Sequence, residues 1–317
     1  MRRSVVFRCD ASPGIGLGHV VRCQALAGAV ARLAPDAHIT FAMASGAEFV
    51  SGFPVTGPSL TAADVLVADV RGESVSRSDL DAFPGLVVVI DDGSDRRLAA
   101  DLAFYPPVPQ VQRLDWTGFT GDWYAGFDWV VLRQSFASVA ERVAESPSGQ
   151  EAPTVLVTMG GSDPFGLTAA TLDELGRHPV PEATYHVVLG PAYEGPYLSA
   201  LTSGLDVRYY RAPTDLQALM GRATVAIASF GMTAYELAAM GTPAIYLSIS
   251  DDHAESASAC EAAGLGVSAG MDPSAVPEAL GALLSNPERR AQMGAQARSR
   301  VDGRGAERIA RLMLDRA

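Results

Sequence analysis

Short, almost continuously apolar runs alternate along this chain with stretches in which apolar residues recur at helical spacing. Val65–Asp69 and Leu86–Ile90 are runs of the first kind, which is typical of strands buried on both faces of a parallel sheet. Gly18–Leu33 is of the second kind and predicts an amphipathic helix. Because strands and helices alternate, the pattern predicts βαβ units, right-handed crossovers and an α/β fold.

The predicted elements form two successive series. In the first half, strands are predicted at residues 4–9, 38–43, 65–69, 86–90 and 102–105. In the second half, strands are predicted at 154–159, 184–189, 207–210, 224–228, 243–247 and 265–268, and helices at 167–177, 215–221, 232–240, 254–263 and 274–284. Asn286 followed by Pro287 predicts the start of a further helix, and one more helix is expected after it. Residues 106–126, rich in proline and aromatic side chains, are expected to be irregular.

A polar stretch near the middle of the chain, ESPSGQEAP at residues 145–153, contains two prolines and one glycine and shows no periodicity. This composition is typical of a connection between domains, and 317 residues suffice for two of them. We therefore expect an N-terminal Rossmann-like domain at residues 1–148 and a C-terminal one at 149–317, each with a doubly wound parallel sheet. The last helix is expected to pack back on the N-terminal domain.

Charge and cysteine content narrow the classes of partner. The chain has 24 basic residues, all of them arginine, against 36 acidic residues, for a net charge of −12. Such a chain has no general attraction for nucleic acid, so an anionic ligand must be held by a local feature. Three cysteines without a CxxC pair indicate reduced thiols in a cytoplasmic protein. No apolar run is long enough for stable membrane insertion.

The segment FRCDASPGIGLGHVVRC, residues 7–23, is the first candidate site. A strand ends at Asp10, a loop with Gly16 follows, and a helix begins near Gly18. Ligands of parallel sheets lie beyond the carboxyl ends of the strands, where a helix start favours phosphate. In the first helical turn His19 should stay neutral and accept a proton, unless it is a structural or capping residue. The GxGxG spacing is not the GxGxxG of dinucleotide sites, which disfavours a dehydrogenase.

Two glycine turns in the second half are candidate phosphate sites. VTMGGSDPFGLT follows the strand predicted at 154–159, and ASFGMTAYELAAMGTPAIYL begins as the strand at 224–228 ends. Their helix starts offer backbone amides to phosphate, and Glu236 offers acceptors to a ribose diol. The structural alternatives are an Asp163 helix cap and a capping box between Thr233 and Glu236.

Further carboxylates are predicted to follow strands. Asp69 and the pair at 91–92 either cap a helix or turn or bind sugar hydroxyls and amides. The run at 251–253, Asp-Asp-His, either caps a helix or binds sugar. No second cluster with ligand spacing accompanies it, so no metal site is predicted.

These motifs resemble a known family. The opening segment resembles the R-x-D-x-S-x-x-I-G-x-G-H-x-x-R motif of the pseudaminic acid pathway UDP-2,4-diacetamido-2,4,6-trideoxy-β-L-altropyranose hydrolases and related spore coat polysaccharide proteins. The likeness continues in order through VVVIDDGSDRRLAADL, YAGFDWVVLRQSF and the two glycine turns, which MurG-like glycosyltransferases share. The resemblance implies the GT-B fold, two Rossmann-like domains facing a central cleft that holds a nucleotide-sugar.

The resemblance also implies an activity and a set of residues. His19 is the base that activates water, and hydrolysis at the anomeric carbon releases UDP and a free amino- or deoxy-sugar without metal or organic cofactor. The nucleotide and diphosphate positions are Gly160, Gly161, Ser162, Ser229, Gly231, Met232, Thr233 and Glu236. The sugar-side positions are Asp10, Gly16, Gly18, Asp69, Arg71, Asp252 and His253.

Two segments expected to face the sugar depart from the family pattern. Where the hydrolases often have D-x-Y-G, this chain has DVRG at 69–72, and where they often have D-N-Q it has DDH at 251–253. The sugar is therefore not predicted, nor is the oligomeric state. The alternative activity is a GT-B glycosyltransferase in which His19 deprotonates an acceptor hydroxyl. A non-catalytic nucleotide-sugar binder is the third hypothesis.

Overall fold

A computed structural model of the protein describes residues 3–12, 16–72, 74–137, 152–180, 183–195 and 204–317. The chain divides into two compact units. Unit 1 consists of Met1–Gln134 with Gly303–Ala317, and unit 2 consists of Ser135–Asp302. The domain boundary expected at 148/149 lies outside the described residues.

The elements alternate as the sequence pattern predicts. The strands are β1 Ser4–Cys9, β2 His38–Ala42, β3 Val55–Thr56, β4 Val65–Asp69, β5 Leu86–Ile90, β6 Leu102–Tyr105, β7 Asp122–Ala125, β8 Thr154–Thr158, β9 Thr184–Leu189, β10 Asp206–Arg211, β11 Val225–Ser229, β12 Ala244–Leu247 and β13 Val267–Ser268. The α-helices are α1 Gly18–Leu33, α2 Arg77–Asp81, α3 Leu167–Arg177, α4 Leu216–Arg222, α5 Met232–Met240, α6 Asp251–Ala262, α7 Val276–Leu284, α8 Pro287–Arg300 and α9 Gly305–Arg316.

Unit 1 is built on a parallel sheet of seven strands in the order β3-β2-β1-β4-β5-β6-β7. Both faces of its central strands are buried. Val5 and Phe7 on β1 belong to the core under α1 and α9, whereas Val6 belongs to the core on the opposite face, with Leu80 of α2. This two-sided burial explains the continuous apolar runs. The strand order reverses between β1 and β4, which places a topological switch point there.

Unit 2 is built on a parallel sheet of six strands in the order β10-β9-β8-β11-β12-β13. Val155, Val157 and Ile227 lie in its core with Leu172 of α3 and Leu280 of α7. The order reverses between β8 and β11, so the two glycine turns that follow these strands flank a second switch point.

Some elements differ from the prediction. Residues 106–126, expected to be irregular, include the whole of β7, which pairs in parallel with β6 at the sheet edge. Trp123 of β7 is partly exposed and stacks on Trp116 with ring centroids 5.1 Å apart. The helix expected at 254–263 begins earlier, at Asp251. Among the described residues, no helix combines the length and apolar character that crossing a bilayer requires.

Close packing of α9 in unit 1 makes one glycine difficult to replace. A Cβ added at Gly305, the first residue of α9, would overlap the carbonyl oxygen of Val130, whereas one added at Gly28 in α1 would meet only the end of Arg32 at 3.5 Å. We expect Gly305→Ala to lower the free energy of unfolding by about 1–3 kcal/mol through overpacking. Gly28→Ala, the matched control, should raise it by about 0.5–1 kcal/mol. Urea titrations of both variants check this; equal effects would contradict the packing described.

Candidate functional site

The switch point of unit 1 joins His19 to Asp69. His19 lies in the first turn of α1, and Asp69 is the last residue of β4, in register with Cys9 of β1. The Nδ1 atom of His19 is 2.6 Å from Oδ1 of Asp69. The Asp69 side chain is 1% exposed and the imidazole 10% exposed. The prediction placed both residues at this sheet edge but did not pair them.

This contact fixes the chemistry of the imidazole. An ionised carboxylate only accepts hydrogen bonds, so Nδ1 carries the hydrogen and Nε2 of the neutral ring has the free lone pair. In the described part of the chain, Nε2 has no hydrogen-bond partner, and it is not fully buried. His19 is thus arranged as a proton acceptor.

Arg22, one helical turn after His19, holds Asp69 in place. Its Nε donates to Oδ2 of Asp69 at 2.6 Å and its Nη2 to Oδ1 at 2.7 Å. Its Nη1 donates to Oδ2 of Asp91, the residue after β5, at 2.9 Å. Arg22 is the last arginine of the opening motif, and its role was not predicted. Its spacing of three residues from His19 was the available signal, because such residues share a helix face.

Asp69 and Arg22 are both charged at neutral pH. Burial alone would raise the pKa of Asp69, but the charge of Arg22 and the hydrogen bonds from His19 and Arg22 hold it below its usual value. Burial alone would lower the pKa of Arg22, but the charges of Asp69 and Asp91 outweigh burial and raise it. At neutral pH an ionised carboxylate therefore faces Nδ1 of His19.

Asp10, a predicted sugar-side residue, binds the backbone of the loop after β2 and pairs with a buried arginine. Its Oδ1 accepts from the amides of Ala44 at 2.7 Å and Ser45 at 3.2 Å, and its Oδ2 pairs with Nη1 of the buried Arg8 at 2.7 Å. Gly16 has a φ of +83°, a conformation that favours glycine. Gly18 is the first residue of α1, and a Cβ added there would meet none of the described residues within 4 Å.

Arg71 is exposed on a loop whose backbone is firmly held. The buried guanidinium of Arg96 donates to the carbonyls of Gly72 at 2.5 Å and Val75 at 3.2 Å, and its Nε donates to Asp92 at 2.7 Å. Asp92 also accepts from both the amide and the hydroxyl of Ser94. Asp92 therefore has the structural role that was one alternative, whereas Asp69 caps no helix.

The turn after β8 in unit 2 is partly closed to anions. Gly160 has a φ of +79°, and a Cβ added there would lie 3.8 Å from Oγ of Ser229, so the turns after β8 and β11 are neighbours. The Asp163 carboxylate accepts from the amides of Leu167 and Thr168, each at 2.9 Å, and so caps α3. The cap alternative for Asp163 is confirmed. Gly161 and Ser162 lie in the same turn.

The start of α5 is open. Its N-cap residue is Gly231, with a φ of +156°, and its first turn has no acidic residue. Among the described residues, no side chain accepts a hydrogen bond from the first amides of this helix. The capping box considered for Thr233 and Glu236 is therefore wrong, because the helix begins at Met232 with glycine as its cap. Unpaired amides and a positive dipole end at such a start are suited to a phosphate.

Asp252 and His253 lie inside the first turn of α6. The cap is Ser250, whose Oγ accepts from the amide of His253 at 3.3 Å. The His253 ring packs edge-on against Phe230, with centroids 6.1 Å apart. Within the described ranges, no three histidine, cysteine, aspartate or glutamate side chains group as metal ligands.

Comparison with known proteins gives limited sequence similarity. No protein-family model matches the chain. It is 24% identical over 201 residues to the spore coat polysaccharide biosynthesis protein SpsG of Bacillus subtilis, a match that covers 61% of this chain and 58% of that protein. It is 27% identical over 130 residues to the uncharacterized protein MJ1062 of Methanocaldococcus jannaschii, covering 39% of this chain and 27% of that protein. The matched part of the chain thus spans less than two thirds of the length of either relative.

Solved structures match over the whole chain. MurG of Acinetobacter baumannii has a TM-score of 0.71 at 13% identity and covers 99% of both chains. The MnaA–UDP co-structure from S. aureus has a TM-score of 0.68 at 12% identity, covering 98% of this chain and 95% of that one. The calicheamicin glycosyltransferase CalG4 has a TM-score of 0.60 at 16% identity, covering 100% and 99%. The two parallel-sheet α/β units have the GT-B fold, as predicted.

The buried Asp69 makes stability depend on pH. Its folded pKa lies below the unfolded value of about 3.9, so its stabilisation is present above that value and is lost as pH falls through the folded pKa. We expect Asp69→Asn to lower the free energy of unfolding at pH 7 by about 3–5 kcal/mol, because Arg22 loses its buried partner. The variant should also be less sensitive to acid. Asp95→Asn, at an exposed site, is the control. Chemical unfolding at several pH values measures both; identical acid profiles for wild type and Asp69→Asn would contradict the assignment.

Proposed function

We propose that the protein is an enzyme that transfers the glycosyl group of a nucleotide-sugar to an acceptor hydroxyl, with His19 as the general base. The observation that carries this proposal is the buried array in which Asp69, fixed by Arg22, accepts from Nδ1 of His19 and leaves Nε2 to take a proton. Such an array is a recurring solution for activating a hydroxyl.

The proposed step is a displacement at the anomeric carbon. Nε2 of His19 takes the proton of the acceptor O–H as that oxygen forms a bond to the anomeric carbon. The bond from this carbon to the diphosphate oxygen breaks, and its electron pair leaves with the nucleoside diphosphate. The imidazolium that forms is stabilised by Asp69. Arg22 contributes by keeping Asp69 ionised and oriented.

The start of α5 is the proposed diphosphate site. Its uncapped amides favour the negative charge that accumulates on the leaving group. The adjacent turns contribute Gly160, Gly161 and Ser162 from one side and Ser229 and Thr233 from the other. Glu236, further along α5, is the proposed acceptor for ribose hydroxyls. Arg71, Asp252 and His253 remain proposed sugar-side residues.

The comparisons support the class of substrate. The glycosyltransferase CalG4 and MnaA, whose structure was solved with UDP, share this fold over nearly the whole chain. The name of the relative SpsG refers to polysaccharide biosynthesis. A nucleotide-sugar substrate agrees with all three of these names. The proposed reaction uses a base and an anion site, so it assigns no part to a metal or organic cofactor.

The second candidate function is hydrolysis of the nucleotide-sugar, with water as the acceptor. The opening motif at residues 7–23 favours it, through its resemblance to UDP-sugar hydrolases. The proton transfer to His19 is the same for water and for an alcohol, so the test lies in the products. Enzyme incubated with nucleotide-sugars alone yields stoichiometric free sugar in the hydrolytic case. In the transferase case, nucleoside diphosphate release requires an added acceptor.

The role of His19 can be tested by substitution. We expect His19→Asn to lower kcat by about 10²–10⁴-fold, the usual value of a general base, while the Kd for UDP stays unchanged because the proposed diphosphate site lies in unit 2. His38→Asn, an exposed histidine of the same unit, is the control and should retain full activity. Steady-state kinetics and calorimetry give both quantities. Full activity in His19→Asn would show that another group is the base.

The diphosphate site can be tested by adding a charge. Thr233→Glu places a carboxylate in the first turn of α5, where it complements the helix dipole but repels a phosphate. We expect at least a tenfold rise in the Kd for UDP with an unchanged or slightly higher melting temperature. Ser258→Glu adds the same charge at an exposed position on α6 and should leave UDP binding unaffected. Equal UDP affinity in both variants would remove α5 from the proposed site.

A further inference from the structure

Asp91 has a backbone conformation that needs an explanation. Three non-glycine residues among those described have positive φ: Asp91 at +55°, Asp163 at +46° and Ala212 at +43°. Aspartate tolerates this region better than most residues, yet it remains unusual. Asp163 uses it to cap α3. Asp91 caps no helix; its amide donates to the carbonyl of Phe104 at 2.8 Å, which holds the residue at the carboxyl end of β5.

Among the described residues, only one of the two carboxylate oxygens of Asp91 has a hydrogen-bond partner. Its Oδ2 accepts from Nη1 of Arg22, but the side chain is 30% exposed, against 1% for Asp69 and 3% for Asp92. Within the described part of the chain, its Oδ1 has no hydrogen-bond partner. One oxygen is thus fixed by the guanidinium that also holds the partner of His19, and the other is available to a ligand.

The negative charge of Asp91 is not needed to neutralise Arg22. Asp69 already neutralises Arg22 with two hydrogen bonds, Asp10 is paired with Arg8, and Asp92 is paired with Arg96. Asp91 therefore leaves the network of Asp69, Arg22 and Asp91 with one net negative charge, on its most exposed member. An extra charge held in an unusual backbone conformation is typical of a functional position.

We propose that Asp91 is a specificity-determining residue that accepts a hydrogen bond from a hydroxyl, acylamino or ammonium group of the substrate portion that reaches His19. This inference rests on the proposed function. A carboxylate is acceptor-only, and Arg22 orients it before binding, which limits the ordering cost. The same charge disfavours acidic sugars, whose carboxylate would face Asp91.

The alternative to be excluded is that Asp91 serves only as a second counter-ion for Arg22. Asp91→Asn retains an oxygen for Arg22 and tolerates positive φ, but it removes the charge. Asp91→Gly relieves the backbone conformation and removes the side chain. A counter-ion role predicts a lower melting temperature in the glycine variant with unchanged KM. Asp95→Asn, exposed and nearby in sequence, is the control for loss of one negative charge.

We expect both Asp91 variants to bind UDP as the wild type does, and to raise the KM for the substrate that contacts Asp91 by about 10–100-fold, the usual effect of losing a hydrogen bond to a charged group. A change in the KM of the nucleotide-sugar assigns the contact to the donor, and a change in the KM of the acceptor assigns it to the acceptor. A deoxy or deamino analogue that lacks the contacted group should bind wild type and Asp91→Gly equally.

Unchanged KM values in otherwise active variants overturn the Asp91 inference alone. Absence of turnover by wild type with every nucleotide-sugar and acceptor tried overturns the proposed function instead.

Discussion

The ionised carboxylate of Asp69, buried at the end of β4, is the constraint on which the first unit depends. An isolated carboxylate in such a place would be costly and would tend to protonate. Arg22 and His19 together direct three hydrogen bonds at its two oxygens. A strand end and the first turns of a helix are thereby locked together, and the orientation of the imidazole follows from satisfying a buried charge. Because buried ion pairs seldom exceed apolar packing in stability, their value here lies in fixing an arrangement.

Two further buried arginines also pair with aspartates and hold neighbouring loops. Arg8 pairs with Asp10 and donates to the carbonyl of Ala42, and so ties the end of β1 to the end of β2. Arg96 pairs with Asp92 and gathers carbonyls of the loop after β4. A guanidinium has five donors in a planar fork and holds several acceptors at once, which an ammonium does less well. The loops at the carboxyl edge of this sheet are therefore preorganised by ion pairs beneath them.

The sequence pattern predicted those parts of the fold that local burial determines. β4, β5 and α1 have the predicted bounds because their residues are buried on both faces or on one continuous face. β7 was missed because it is a short, half-exposed edge strand stabilised by pairing and aromatic contacts. The contact of His19 with Asp69 was missed for another reason. It joins residues fifty positions apart, and only the strand order brings β4 beside the loop after β1.

Caps decide which glycine turn in the second unit is open to an anion. The turns after β8 and β11 look alike in sequence, since each has a glycine, a small polar residue and a following helix. In the first, the Asp163 carboxylate accepts from the first amides of α3. At α6, the Ser250 hydroxyl accepts from the amide of His253, and two acidic residues in the first turn add negative charge there. The start of α5 keeps a positive end with a glycine cap. In the first unit, in contrast, the Asp69 carboxylate lies beside His19, the proposed base. In the proposed reaction the leaving diphosphate gains negative charge and His19 gains a proton, so each charge that develops has a partner of opposite sign already in place.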